Sequence, residues 1–261
     1  MSPDDLLHTL AVALFIGVLI GAIGVGGVLL APWLTHAIGL PVHAAIGITM
    51  LAFALPGAVA LVMAALSKRR AWAADAWLVL ATVPGAMLGA LALSAVPERA
   101  VFVLLAGAVG FVGWRLVRAG ERKDPDPGAA QPAVCVERAG PAASAAPPGA
   151  PTGFVTGFAS ALTGTGGPMI LTPWMVWRGM PLIEAIALGQ LVQLPIAAMA
   201  SVGNLMTGAV DIVAGLSVGA MLVPGMLVGQ RVARRLPGRL LGQAVGGVLL
   251  IAACAFVGKA L

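Results

Sequence analysis

The fold class the sequence predicts is an all-α integral membrane protein of two homologous repeats, each a glycine-broken helical hairpin followed by three transmembrane helices. Three observations predict it. Of 261 residues, 60% are hydrophobic and 10% charged, and mean hydropathy is +1.01, where a soluble domain carries about a quarter charged residues. Tyr is absent and the apolar runs are rich in Ala, Gly, Val and Leu. That composition suits helices packed through small side chains and lacks the alternation of an outer-membrane barrel. Third, Gly24-Val25-Gly26-Gly27 recurs 140 residues later as Gly164-Thr165-Gly166-Gly167. The same offset relates Gly17 to Gly157, Gly39 to Gly179, Pro41 to Pro181, Pro84 to Pro224, Gly85 to Gly225, Gly89 to Gly229, Pro97 to Pro237 and Arg99 to Arg239. Glycine and proline constrain backbone geometry, so a matched series of them implies a shared fold, with function expected between the halves.

Taken in order, apolar segments cover 9–38, 42–66, 76–96, 100–117, 152–177, 182–206, 212–229 and 240–257, and most suit the roughly 20 residues a spanning helix needs. The N-terminus carries Asp4 and Asp5 and no basic n-region, so the first segment is expected to be retained. Segments 9–38 and 152–177 are interrupted by the glycine motifs, and Pro168 directly after Gly167 predicts that a new helix begins there. The stretch from Gly120 to Pro151 is crowded with Ala, Pro, Gly and charge and reads as a linker. The expected organisation is a first membrane repeat over 1–118, a flexible cytoplasmic linker over 119–151 and a second repeat over 152–261.

Net charge is +5, but the basic residues cluster in short segments between apolar runs, where they set orientation and do not argue for nucleic acid. With eight full crossings, nine Lys and Arg face six. If each motif segment instead enters and returns on one side, only Arg99 and Lys259 lie on one face and 13 of 15 on the other. This asymmetry favours inverted repeats with both termini outside and the linker in the cytoplasm. A half-helix over 9–22 would be about 21 Å long, past mid-membrane but not across it.

Two hairpins entering from opposite faces bring the glycine motifs together near the bilayer centre, as in transporters built from discontinuous helices. A helix starting just after Gly27 or Gly167 leaves unpaired N–H groups and a positive dipole end, which suit a small anion. The candidate substrate-binding residues are Gly24, Gly26, Gly27, Thr163, Gly164, Thr165, Gly166, Gly167, Gln190 and Gln193. Thr163 and Thr165 supply hydroxyls where the first half has Ile23 and Val25, so the half-sites are unequal. The competing reading is that these glycines only allow close helix packing. Two motifs, each followed by Pro-Trp (Pro32-Trp33 and Pro173-Trp174, a local slip of one residue), favour backbone that lines a cavity.

Gln190 and Gln193 share a helix face, with Ser201 and Asn204 further along the same segment, and their counterparts are Met50 and Phe53. A helix-helix hydrogen bond is the alternative for both, and Thr49 is a weaker candidate. Asp75, Glu98, Glu184 and Asp211 all fall at segment ends, so no carboxylate relay is evident. His36 and His43 read as interfacial. Cys135 and Cys254 are too few and too scattered for a disulfide framework or thiolate metal site. No Ser-His-Asp arrangement, His-Glu-x-x-His or phosphate loop with lysine is present, so neither enzyme activity nor a cofactor or metal is expected.

Together, Gly24 to Pro32, Gly164 to Pro173, Gly39-Leu40-Pro41, Gly179-Met180-Pro181 and the Pro84 to Gly89 and Pro224 to Gly229 pairs resemble the TauE/SafE family of sulfite exporters, also called toluene sulfonate uptake permeases. The resemblance implies a bacterial inner-membrane permease for a small sulfur-containing anion such as sulfite, sulfoacetate or a related organosulfonate, and leaves room for H+ or another coupling ion. The first motif departs from the family's longer glycine run at Val25 and Val28. A passive anion channel of the same architecture, or a membrane scaffold that docks a partner through 120–151, are the alternatives the sequence leaves open.

Overall fold

In the computed structural model, the described residues are 3–23, 26–66, 72–119, 149–178, 182–208 and 210–233, with residues 247 and 250. Lys68-Arg69-Arg70, most of the predicted linker with Cys135, Gly179-Met180-Pro181, and most of the last segment 240–257 with Cys254 lie outside them. So do Arg234, Arg235 and Arg239.

Among the described residues all regular structure is helical: α1 (Pro3–Ile23), a 3-10 turn (Gly26–Leu29), α2 (Leu30–His36), α3 (Val42–Leu66), α4 (Trp72–Leu93), α5 (Glu98–Ala119), α6 (Ala150–Thr163), α7 (Gly167–Trp177), α8 (Leu182–Met206) and α9 (Ile212–Ala233). Both motif segments are interrupted, the first between α1 and α2 and the second between α6 and α7. Asp211 caps α9 by accepting a hydrogen bond from the Ala214 N–H at 3.0 Å, which satisfies one of the helix's free donors. Pro56, Pro84, Pro195 and Pro224 lie inside helices. This is common in membrane bundles, where neighbouring groups satisfy the freed backbone.

Stretches within α3, α8 and α9, Val42–Met63, Leu188–Met206 and Ile212–Val232, are long and apolar enough to cross a membrane, and Leu7–Ala22 and Trp77–Leu93 form shorter apolar helices. Their outward faces are apolar as well: Phe15, Val62, Trp77, Leu80, Val202 and Val213 are all exposed. A helix that is hydrophobic on every side belongs in lipid, and with several such helices this is a multi-pass membrane protein.

The most extensive contacts are α4 with α6 and α1 with α9, followed by α3 with α8 and α9, α4 with α8, and α7 with α8. Small residues make the first two possible. A methyl group on Gly17, Gly21, Gly225 or Gly229 would run into the backbone carbonyl of Leu222, Met226, Leu14 or Val18, so α1 and α9 touch backbone to backbone. Gly85, Gly89, Gly153 and Gly157 do the same against Phe154, Phe158, Leu78 and Thr82, joining α4 to α6. Each set is spaced by four residues, the pattern that lets helices in lipid approach closely enough for dispersion and Cα–H contacts. The order of these contacts also gives direction. Residue numbers rise together along both pairs, so α1 runs parallel to α9 and α4 parallel to α6.

Candidate functional site

The second glycine motif is built by a helix that stops and restarts. Gly164 ends α6 in the left-handed conformation, at φ 66° and ψ 18°, and Gly166 repeats it at φ 77°. An L-residue there pays roughly 1–2 kcal/mol, so these two glycines set the turn. α7 then starts at Gly167 with Pro168 second, one residue off the predicted boundary, where proline's missing N–H costs nothing. Thr163, Gly164, Thr165, Gly166, Gly167 and Pro168 are all buried.

Around this turn stand α3 and α8. Gly164 lies against Ile46 and Gly166 against the Phe53 ring, both on α3, while Gly167 lies against Val192 and Ile196 on α8. Pro168 meets Gly189 so closely that a side chain there would collide with it. Gln190 and Gln193, beside Gly189 and Val192 in sequence, are 6% and 3% exposed. The Gln190 amide oxygen is buried with no hydrogen-bond partner. The turn residues therefore meet α8 at Gly189, Val192 and Ile196, on the stretch of helix that also carries Gln190 and Gln193.

Hydroxyl protons in this turn run in one direction. Thr163 Oγ1 donates to the Ala159 carbonyl at 2.7 Å, and Thr163 and Thr165 Oγ1 are 2.8 Å apart. A hydroxyl has one proton, so with Thr163's committed to Ala159, Thr165 donates to Thr163. Ser160 Oγ donates to the Gly166 carbonyl at 3.1 Å and ties the end of α6 across the turn. For Thr165 to serve an anion, its hydroxyl rotates away from Thr163.

Of the first-half candidates, Gly26 and Gly27 begin the 3-10 turn between α1 and α2, and Gly24 lies outside the described residues. α2 packs on α3, and Leu30, Ala31 and Leu34 are buried there. His36 Nδ1 is 2.8 Å from Thr35 Oγ1. Thr49 donates to its own helix at the Ala45 carbonyl, 2.7 Å away, which leaves it no proton for a ligand.

One feature escaped the sequence reading. A cleft of about 200 Å³ lies where the start of α3 meets the ends of α4 and α8, lined by His43, Ala90, Leu93, Ser94, Asn204 and Thr207. At its rim His43 Nε2 is 3.2 Å from the Val96 carbonyl and Nδ1 is 3.7 Å from Glu98. The three segment ends are far apart in sequence, so only their packing reveals the cleft. Among the described residues no group of three or more His, Cys, Asp or Glu is placed to hold a metal.

Apolar helices broken at glycine turns are an arrangement found in membrane transporters. The family described as Sulfite exporter TauE/SafE matches residues 9–256, and the chain belongs to that family, whose members are transporters. Comparison with curated proteins and with solved structures gives no match.

Proposed function

We propose that this chain is a permease of the bacterial inner membrane that moves a small sulfur-containing anion, sulfite, sulfoacetate or a related organosulfonate, bound near the bilayer midplane between two glycine-motif hairpin tips. The observation that carries the reading is the buried Gly164 to Gly167 turn, wedged between α3 and the stretch of α8 that carries the buried Gln190 and Gln193, whose amide N–H2 groups are the donors an anion would need. The start of α7 offers backbone N–H groups and a positive dipole end. Such donors stabilise an anion without a buried Lys or Arg, so the ligand is held and released without breaking a full ion pair.

An inverted two-repeat arrangement is supported by the contacts. Exchanging each helix for its counterpart 140 residues away turns the α1 and α9 pair into the α6 and α4 pair, turns α3 with α9 into α8 with α4, and returns α3 with α8 to itself. The directions agree with hairpins: α1 runs parallel to α9, and α9 begins a short turn after the end of α8, beside the start of α3 at the cleft. The segment containing α1 and α2 then begins and ends on one face.

Uptake of radiolabelled sulfite into proteoliposomes, with and without a pH gradient and with unlabelled organosulfonates as competitors, tests the reading. Saturable, competed flux is expected. Absence of flux above empty liposomes from folded protein overturns it.

A further inference from the structure

We propose that one face of α8, carrying Gln190, Gln193, Ser201 and Asn204, is the route along which the anion passes between the glycine turn and the cleft at the α3, α4 and α8 ends, with Asn204 as a second binding station at its outer end. The proposal rests on the transport reading above and adds a path and a site to it.

At 100° per residue, positions 190, 193, 197, 201 and 204 fall within an arc of about 80°, and the span from 190 to 204 is about 21 Å. All five residues are buried, at 1 to 6% exposure. Three of the four polar ones carry a buried atom with no hydrogen-bond partner: Ser201 Oγ and Asn204 Nδ2, which can donate to an anion, and Gln190 Oε1, an acceptor that must turn aside to present the amide N–H2. Between them stands Ala197, whose small side chain leaves room. Unpartnered buried polar atoms destabilise a fold, so a row of them on one helix face needs a reason.

Folding does not supply it. The residues 140 positions earlier, on α3, are Met50, Phe53, Gly57, Leu61 and Ala64, all apolar, and α3 packs centrally in the bundle as α8 does. A central helix here is buildable with an apolar stripe. The polar stripe on α8 instead begins at the level of the glycine turn, which meets the helix at Gly189 and Val192, and ends in the cleft, where Asn204 is a lining residue 1% exposed.

The cleft's chemistry fits a weak anion station. Ser94 and Thr207 have spent their protons on the Leu91 and Asn204 carbonyls, at 2.7 and 3.0 Å, and main-chain N–H groups occupy the Ala92, Leu93, Gly203 and Leu205 carbonyls. The negative ends of α4 and α8 are thus capped, and the Asn204 amide is left as the free donor. Residual helix-end charge keeps affinity low, which a transit site requires if the ion is to leave it.

The test uses the full-length protein in proteoliposomes for flux and in detergent for equilibrium binding of radiolabelled sulfite, with folding checked by size-exclusion chromatography. Asn204→Leu removes the donor, Asn204→Asp keeps the shape and adds a repelling charge, and Asn204→Ser keeps a small donor; Ser201→Leu plugs the route independently. Flux falling about tenfold or more in the Leu and Asp variants and in Ser201→Leu, and less in Asn204→Ser, is expected, with equilibrium binding, which reports the tighter site at the glycine turn and not the weak station at Asn204, within about twofold of wild type. Wild-type flux in the Leu and Asp variants overturns the route, and so does an equal loss of binding and flux. Absence of both flux and binding in the unmodified protein overturns the transport reading, and this route with it.

Discussion

With Gln190 donating to the anion as proposed, function and stability pull against each other at a single side chain. Its amide oxygen is buried without a partner, so replacing it with an apolar residue of similar reach removes a desolvation cost of about 1 kcal/mol or more. Gln190→Leu is therefore expected to raise the thermal midpoint in detergent while lowering sulfite flux about tenfold, the loss of one hydrogen bond to a charged ligand. A lowered midpoint would show that the amide holds the bundle together. The two threonines of the turn separate the same quantities. Thr163→Val strands the Thr165 proton and is expected to cost about 1 kcal/mol more stability than Thr165→Val. Thr165→Val leaves Thr163 bonded to Ala159 and is expected to cost more in flux, because in the proposed site Thr165 holds the proton that turns toward the ligand. Melting curves and initial uptake rates for the pair should thus rank in opposite orders.

At the scale of the helix, two kinds of glycine with one sequence appearance do different work. Those on α1, α4, α6 and α9 are pressed against a neighbouring backbone, and overpacking such a contact costs roughly 1–3 kcal/mol. Gly89→Val or Gly225→Val is expected to lose about that much stability, read as a lowered thermal midpoint, and to shift protein toward aggregates in size-exclusion chromatography. Gly107→Ala on α5 is expected to be neutral or mildly stabilising, since nothing lies within 4 Å of the added methyl and alanine is the better helix former. The spacing of 140 residues made the shared pattern of these glycines legible, because matched Gly and Pro leave a signature in the chain itself. Which of them pack and which turn the backbone was not legible. That distinction depends on the helix that lies opposite: Gly85 meets α6, whereas Gly164 and Gly166 make a left-handed turn beside α3. For the candidate site, the break at the motif and the shared face of Gln190 and Gln193 follow from local spacing. The proton direction through Thr165 and Thr163 and the cleft at Asn204 depend on side-chain rotation and on three distant segment ends, which no periodicity encodes.

For the molecule as a whole, the proposed inverted topology and eight full crossings make opposite statements about three exposed positions at segment ends: Ser94, Arg178 and Thr207. If the motif segments enter and return on one side, Ser94 at the end of α4 and Thr207 after α8 share the outer face, and Arg178 after α7 lies inside. If every segment crosses, Ser94 and Arg178 share a face and Thr207 is opposite. Ser94 and Thr207 line one cleft, and two residues about 30 Å apart across a hydrocarbon core could not. Single cysteines at the three positions, in a background with Cys135→Ser and Cys254→Ser, are expected to react with a membrane-impermeant maleimide in intact cells at Ser94 and Thr207, and at Arg178 only after permeabilisation. The charge distribution leads to the same expectation independently, since Arg178 is then one of the 13 of 15 basic residues on the cytoplasmic side. Labelling of Ser94 together with Arg178, and not with Thr207, would remove the hairpins. The glycine turns would then lie within continuous crossings, and a site built from two opposed tips would lose its geometric basis.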